Sequence, residues 1–128
     1  MKFQAEKLDA KAIIRGYDNQ GVLINGSQYK HSVLLGTDFP PCLWPNALPD
    51  AFEAEQAQFL MSHCPADTEV LLIGTGPNQR FPNLEVRRLF AEKGWPVDYM
   101  TTQAACRTYN ILIGEGRKVF AALLLSST

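Results

Sequence analysis

The chain has 128 residues, of which 46% are hydrophobic and 20% charged, and its formal net charge is −1. This length and composition fit one globular domain spanning residues 1–128, and the balanced charge excludes the basic footprint of a nucleic-acid or anionic-membrane binder. The three cysteines form no Cys-x-x-Cys pair, so neither a zinc ribbon nor a disulfide framework is expected. The longest apolar run, 119–125, is too short to cross a bilayer, so no membrane insertion is expected.

The first third of the chain predicts a β-hairpin region. Short apolar runs indicate strands over 12–17 and 22–24, and Asn25–Gly26 is the pair that best tolerates the positive φ of a type I′ turn. The return strand is predicted over 27–35, with Tyr29, His31 and Val33 on one face.

Residues 36–49 are expected to form an irregular arm, because four prolines remove backbone donors and forbid a helix. The apolar side chains of Cys42, Leu43 and Trp44 favour an arm that lies against the domain, either as a strap over the core or as a binding motif. Asp50 then has the character of an N-cap, with Glu53 completing a capping box and Phe52, Phe59 and Leu60 on one face. These signals predict a helix over 51–63, which Pro65 ends.

The second half predicts a strand–helix–strand unit. The apolar run at 70–74 is typical of a strand buried on both faces, as in a parallel sheet. After a glycine-rich loop, Asn83 is the expected N-cap of a helix over 84–93, and Gly94 is its left-handed stop. A strand over 96–100 completes a right-handed crossover.

A third helix is predicted over 102–112, capped by Thr101. Apolar and small residues recur at helical spacing from Ala105 to Leu112. The β-rich composition of 109–113 favours a strand instead, so both interpretations of that segment stay open. The last strand is predicted over 118–125.

The most specific local feature is the loop that follows the strand at 70–74. Ligands in open α/β sheets bind at the carboxyl ends of parallel strands, where free backbone N–H groups favour anions. We therefore predict a small-anion crevice, with Arg80 supplying charge and the N–H groups of Thr102 and Gln103 unpaired. Its expected residues are Thr75, Gly76, Gln79, Arg80, Thr101, Thr102 and Gln103.

Other chemistries find less support in the sequence. The loop is no dinucleotide fingerprint, because Gln79 stands where GxGxxG needs glycine, and it lacks the Gly-Lys-Ser/Thr of a phosphate-binding loop. Cys106 is the candidate reactive thiol, since the start of a helix and Arg107 would both lower its pKa, while the alternative is a buried, inert cysteine. No residues are predicted to be catalytic, and neither a metal nor a cofactor such as NAD is expected.

Four segments carry a resemblance to a known family. They are VLLIGTG followed by Gln79-Arg80-Phe81, the stretch 100–112, the block 115–119 and the hairpin 24–32. Together they resemble the uncharacterised single-domain family related to respiratory complex I assembly factor three and the adipogenesis-associated domain proteins. The resemblance implies a three-layer α/β fold around a mixed, mostly parallel sheet of about five strands, one of them antiparallel.

Two functions follow as expectations. The resemblance implies a non-enzymatic binding or assembly module with a protein partner. The alternative is a small-molecule or anion-binding protein, or an enzyme, that uses the crevice. The N-terminus lacks both a signal peptide and an Arg- and Ser-rich transit segment, which predicts a cytoplasmic, bacterial-type member of the family.

Overall fold

The computed structural model describes residues 11–18, 21–45 and 53–125, which form eight strands and three helices. In chain order the N-terminal elements are β1 (Ile14–Asp18), β2 (Gly21–Ile24), β3 (Ser27–Tyr29), β4 (Val33–Gly36), β5 (Phe39–Leu43) and α1 (Ala54–His63). The remaining elements are β6 (Val70–Gly74), α2 (Leu84–Lys93), β7 (Val97–Met100), α3 (Thr102–Gly114) and β8 (Val119–Leu123).

The strands form two sheets. A small antiparallel sheet has the order β1-β2-β3, and Asn25 at its hairpin turn has a φ of 54°. The main sheet has the order β5-β4-β8-β6-β7, with β8, β6 and β7 parallel and β4 antiparallel to β8. The mixed five-stranded sheet with one antiparallel strand, and the parallel pairing of β6 with β7, are therefore confirmed.

The main sheet is the middle of three layers, because alternate residues of its strands enter two separate hydrophobic clusters. Leu72 and Ala121 face α3 and the small sheet, whereas Leu71 and Ile73 face α1 and α2. This is why the run at 70–74 is apolar without alternation: both faces of β6 are covered.

The helix signals are confirmed for α2 and α3. Asn83 Oδ1 accepts a hydrogen bond from Val86 N, Gly94 ends α2 at a φ of 77°, and Thr101 Oγ1 accepts from Ala104 N. The segment 109–113 belongs to α3, which is one continuous helix with Tyr109 and Ile113 on its buried side.

Two predictions about the first half are wrong. The strand over 27–35 is interrupted at Lys30–Ser32, because Ser32 Oγ bonds with the backbone of Leu125 and draws the chain into the main sheet. The arm contains the strand β5, which lies at an edge of the main sheet and pairs with β4 in a register that shifts between Leu34 and Gly36. Pro40 and Pro41 are tolerated there because an edge strand forms a ladder on one side only.

The first helix also begins later than predicted. Glu53 is the N-cap of α1, and its N–H donates to Gln56 Oε1 at 2.9 Å. Asp50 and Phe52 lie outside the described residues. Phe59 and Leu60 do face the core, and the helix ends at His63 as expected.

Candidate functional site

The loop that follows β6 lies at the carboxyl edge of the main sheet and is joined to the start of α3. Thr75 N donates to Met100 O at 2.7 Å, and Thr102 N donates to Gly76 O at 2.9 Å. The rule that parallel strands end at the same edge thus brings together the residues predicted for the crevice, Gln103 excepted. However, the N–H of Thr102, which we expected to be unpaired, is bonded to Gly76.

The side chain of Thr102 is also committed to the protein itself. It is fully buried, its Oγ1 accepts from Gly76 N at 2.9 Å, and it donates to Leu124 O at 2.8 Å. One hydroxyl therefore connects the loop, α3 and the chain that leaves β8. A buried hydroxyl whose donor and acceptor capacities are both in use stabilises a fold and has little left to offer a ligand.

The other polar side chains of the crevice make similar internal bonds. Thr75 Oγ1 lies 2.7 Å from Asn78 O and accepts from Arg80 N at 3.2 Å. Gln79 Nε2 donates to Tyr99 O at 2.9 Å. These bonds hold the loop in one conformation. Arg80 itself is exposed, and whether this corner binds an anion stays a prediction.

Close backbone approach fills the base of the crevice. Gly74 is the last residue of β6, and a Cβ there would lie 2.9 Å from both Cα and Oγ1 of Thr102. Glycine is required because any other side chain would push α3 away from the sheet. Gly76, at a φ of 94°, allows the turn that follows.

The same loop carries large apolar side chains into solvent. Phe81 is 60% exposed and Leu84, the first residue of α2, is 56% exposed. The Phe81 ring meets the Tyr99 ring edge-on, with centroids 5.6 Å apart. Together with Arg80 and Arg88, which flank them in the sequence and are also exposed, Phe81 and Leu84 define what we call the Phe81–Leu84 surface.

The Phe81–Leu84 surface was not predicted from the sequence. The available signal was the position of Leu84, which precedes by two residues the Val86 and Phe90 face that packs on the sheet. An apolar residue outside the buried stripe of an amphipathic helix is an exposed one. Phe81 carried no comparable signal, because loop residues have no periodicity.

A groove opens on the other side of the main sheet, between β1 and α3. Its volume is about 200 Å³, and it is lined by residues 14–17 together with Gln103, Cys106, Arg107 and Asn110 of α3. Gln103, which we expected in the crevice, is therefore placed in this groove.

The prediction of a lowered pKa at Cys106 is wrong. The side chain is 4% exposed, and burial raises the pKa of its thiol to about 12, although the charge of Arg107 acts in the opposite direction. Desolvation disfavours the thiolate more strongly than one guanidinium favours it. Cys106 is consequently a buried neutral thiol, as in the alternative interpretation.

Two further features concern the described residues only. Over 11–18, 21–45 and 53–125, no three His, Cys, Asp or Glu side chains lie together as metal ligands would. None of the described helices has the length and apolar character needed to cross a membrane.

Comparison with known proteins gives a consistent result. The family described as "Protein of unknown function (DUF498/DUF598)" matches residues 14–124. The "13 kDa major membrane protein" of Francisella tularensis subsp. holarctica is 30% identical over 124 residues, which cover 97% of this chain and 99% of that protein.

Solved structures agree with the fold. A crystal structure of a Bordetella parapertussis protein matches with a TM-score of 0.81 at 35% identity, covering 91% of this chain and 98% of that one. The solution structure of a Bordetella pertussis protein described as an Mth938-like domain matches with a TM-score of 0.78 at 30% identity, covering 97% and 92% of the two chains. A relation to the complex I assembly factor branch stays a prediction.

Proposed function

Because this chain belongs to the DUF498/DUF598 family, whose fold is that of an Mth938-like domain, we propose that it is a non-enzymatic binding or assembly module that docks a protein partner on the Phe81–Leu84 surface. The observation that carries the proposal is the exposure of two large apolar side chains, 60% for Phe81 on the loop and 56% for Leu84 at the start of α2. The polar side chains of Thr75 and Gln79 in that loop are bonded internally.

The free energy of such a contact is large enough to matter. Burying the exposed part of a phenylalanine removes about 100 Å² of apolar surface from water, which contributes about 2–3 kcal/mol. Aromatic side chains at the centre of an interface are typical binding hot spots. Leu84 adds a second apolar anchor at the start of α2.

The internal bonds of the loop favour binding as well. The side chains of Thr75 and Gln79 fix the loop to the end of β7, and the Thr102 hydroxyl fixes Gly76. A surface that is already ordered loses little conformational entropy when a partner docks. The residues predicted as a ligand site would thereby serve as the support of a docking loop.

Charge around the surface indicates the chemistry of the partner. The exposed charged residues between positions 80 and 88 are Arg80, Glu85, Arg87 and Arg88, so this segment has a net positive charge. Arginine is also enriched at protein interfaces. We expect the partner to present an apolar pocket for Phe81 with acidic residues at its rim. Complementary rim charges chiefly raise the association rate, so binding should weaken at higher ionic strength.

Affinity capture from the native host tests the proposal. The wild-type chain and the variants Phe81→Ser, Leu84→Ser and Ile111→Ser serve as baits. Ile111 is the matched control, because it is 61% exposed on α3 and lies outside the surface. We expect one protein to be retained by the wild type and by Ile111→Ser and lost with Phe81→Ser. A partner retained equally by all four baits, or a partner that proves to be a second copy of this chain, contradicts the proposal.

We further propose that the protein works in the cytoplasm and inserts into no membrane. Cys42, Cys64 and Cys106 are all free thiols, which is the state expected in a reducing compartment. The Francisella tularensis relative is named a membrane protein, so attachment through a bound partner is the competing explanation for this chain. Cell fractionation decides it: the chain should be in the soluble fraction or leave membranes in a carbonate wash, whereas retention after that wash contradicts the proposal.

A further inference from the structure

The groove between β1 and α3 owes its shape to an irregularity in the small sheet. Ile14 is opposite Ile24 and Gly16 is opposite Leu23, so Arg15 has no partner across the ladder. This is a β-bulge, a device that redirects side chains and often lies beside binding sites. It allows consecutive residues of β1 to line the same groove.

The position of β1 against α3 is fixed by hydrogen bonds. Asn110 Nδ2 donates to Ile14 O at 2.7 Å, and Asn110 Oδ1 accepts from Ile14 N at 3.3 Å. Two residues before Ile14, Ala12 O accepts a hydrogen bond from the buried Tyr109 hydroxyl at 2.6 Å. The groove is therefore held open between two elements that cannot slide past one another.

The chemistry of the lining is that of an anion receptor. Its charged side chains among the described residues are the guanidinium groups of Arg15 and Arg107. Its neutral polar side chains are those of Tyr17, Gln103 and Asn110, of which Asn110 is bonded to Ile14. Within 11–18, 21–45 and 53–125, no carboxylate lines the groove and neither arginine forms a salt bridge. A guanidinium presents a planar fork of donors that suits carboxylate and phosphate oxygens.

The deeper part of the groove is apolar. Ile14 and Cys106 are each 4% exposed, and Tyr17 is half-buried beside them. Because Cys106 is a neutral thiol, it adds no charge to oppose that of the arginines. A volume of about 200 Å³ corresponds to about seven waters, which is room for a ligand the size of benzoate.

We propose that this groove binds a small organic anion, a carboxylate or phosphate monoester whose apolar body lies on Ile14, Cys106 and Tyr17 and whose charged group lies between Arg15 and Arg107. This goes beyond the proposed partner-binding function and is separate from it, since neither Phe81 nor Leu84 lines the groove. The groove is open and the arginines are exposed, so a dissociation constant on the order of 1 mM is expected for a simple probe.

Amide NMR of the full-length protein provides the test. Benzoate and phenyl phosphate are the anionic probes, benzamide is the neutral analogue of benzoate, and inorganic phosphate lacks the apolar body. We expect both aromatic anions to shift the signals of Arg15, Gly16, Gln103 and Arg107 together. Benzamide and inorganic phosphate should each bind at least tenfold more weakly, because each lacks one half of the recognition.

Variants locate the binding in the groove. Arg15→Gln and Arg107→Gln should each raise the dissociation constant of phenyl phosphate at least fivefold, whereas Arg88→Gln on α2 is the charge-matched control and should leave it unchanged. A Cβ at Gly16 meets nothing within 4 Å, so Gly16→Leu should fold and obstruct the groove. Gly114→Leu is its control, since Gly114 also has open space and does not line the groove.

The results of these experiments distinguish binding in the groove from nonspecific anion binding. The site is supported if the coupled amide shifts disappear in Gly16→Leu and persist in Gly114→Leu. Unchanged anion binding by Phe81→Ser also supports it, because the groove is separate from the Phe81–Leu84 surface. Equal binding of benzamide and benzoate, shifts spread over all basic residues, or equal loss with Arg88→Gln would overturn it. If Gly16→Leu fails to fold, the two arginine variants decide by the same criterion.

Discussion

Removing the hydroxyl of Thr102 while keeping its shape tests whether this residue supports the loop. Thr102→Val is nearly isosteric, but it leaves Gly76 N–H and Leu124 C=O without the partner they have at 2.9 and 2.8 Å. Both groups lie in a part of the chain that is shielded from water, since Gly76 and Leu124 are buried. Leaving a buried backbone group unpaired costs about 1–3 kcal/mol, so we expect a loss of about 2–4 kcal/mol in the free energy of unfolding.

Thr102→Ser is the matched comparison. It keeps the hydroxyl and removes one buried methyl group, which should cost only about 1 kcal/mol. Urea denaturation at 25 °C measures both variants, and an unchanged m-value would show that the same surface is exposed on unfolding. With an unfolding entropy of about 0.3 kcal/mol/K for a chain of this size, Thr102→Val should also lower Tm by about 10 °C.

The reasoning would be refuted if Thr102→Val cost less than about 1 kcal/mol, or if the serine and valine variants were equally destabilised. Either result would mean that the hydroxyl contributes little to the fold. The crevice residues would then be available for a ligand, as the sequence suggested.

Three further predictions concern the fold around these sites. Gly74→Ala should lower the free energy of unfolding in urea by about 1–3 kcal/mol, because its Cβ would lie 2.9 Å from Thr102 of α3. Gly114→Ala, with open space, should be neutral or slightly stabilising, and equal effects of the two variants would contradict the close approach. Tyr109→Phe should lower the free energy of unfolding by about 1–3 kcal/mol, because it leaves the Ala12 carbonyl without its hydrogen-bond donor. An unchanged urea midpoint would show that this bond does not stabilise the fold. Burial raises the pKa of Cys106 from 9.0 to about 12, so the folded state holds the thiol proton more tightly than the unfolded chain does. The stabilising contribution of this protonated thiol is complete below pH 9 and is lost as the pH rises towards 12. The free energy of unfolding should therefore fall less steeply over this range in Cys106→Ala, by up to about 1.4 kcal/mol per pH unit, and an identical slope in both proteins would contradict this.

The parts of the fold that the sequence predicted are those whose signals are local. Asn83 and Gly94 mark the ends of α2 within a few residues of its apolar stripe, and the unbroken run of β6 is explained by layers on both faces. Capping bonds and the pattern of apolar and polar residues involve positions only a few residues apart, so both can be recognised in the sequence.

The errors have causes that are distant in the chain. Ser32 ends the hairpin strand because it bonds with Leu125, 93 residues away. Pro40 and Pro41 belong to a strand only because β5 is at the sheet edge, a fact that depends on the order of all five strands. Local patterns contain neither piece of information.

The candidate sites show the same division. The topology rule for parallel strands brought Thr75, Gly76 and Thr102 together, but it could not show that their polar groups bond to one another. The sequence left Cys106 open between a reactive and a buried, inert thiol, because its pKa depends on how deeply the small sheet covers it. Burial by a remote segment is decided in three dimensions and outweighs the neighbouring arginine.

The most direct test of the central claim is the affinity of the captured partner for purified variants. Isothermal titration calorimetry of that partner should show at least tenfold weaker binding to Phe81→Ser than to the wild type, a loss of about 1.4 kcal/mol, with less than a twofold change for Ile111→Ser. Equal affinity of Phe81→Ser and the wild type would contradict the assignment of the Phe81–Leu84 surface as the docking site.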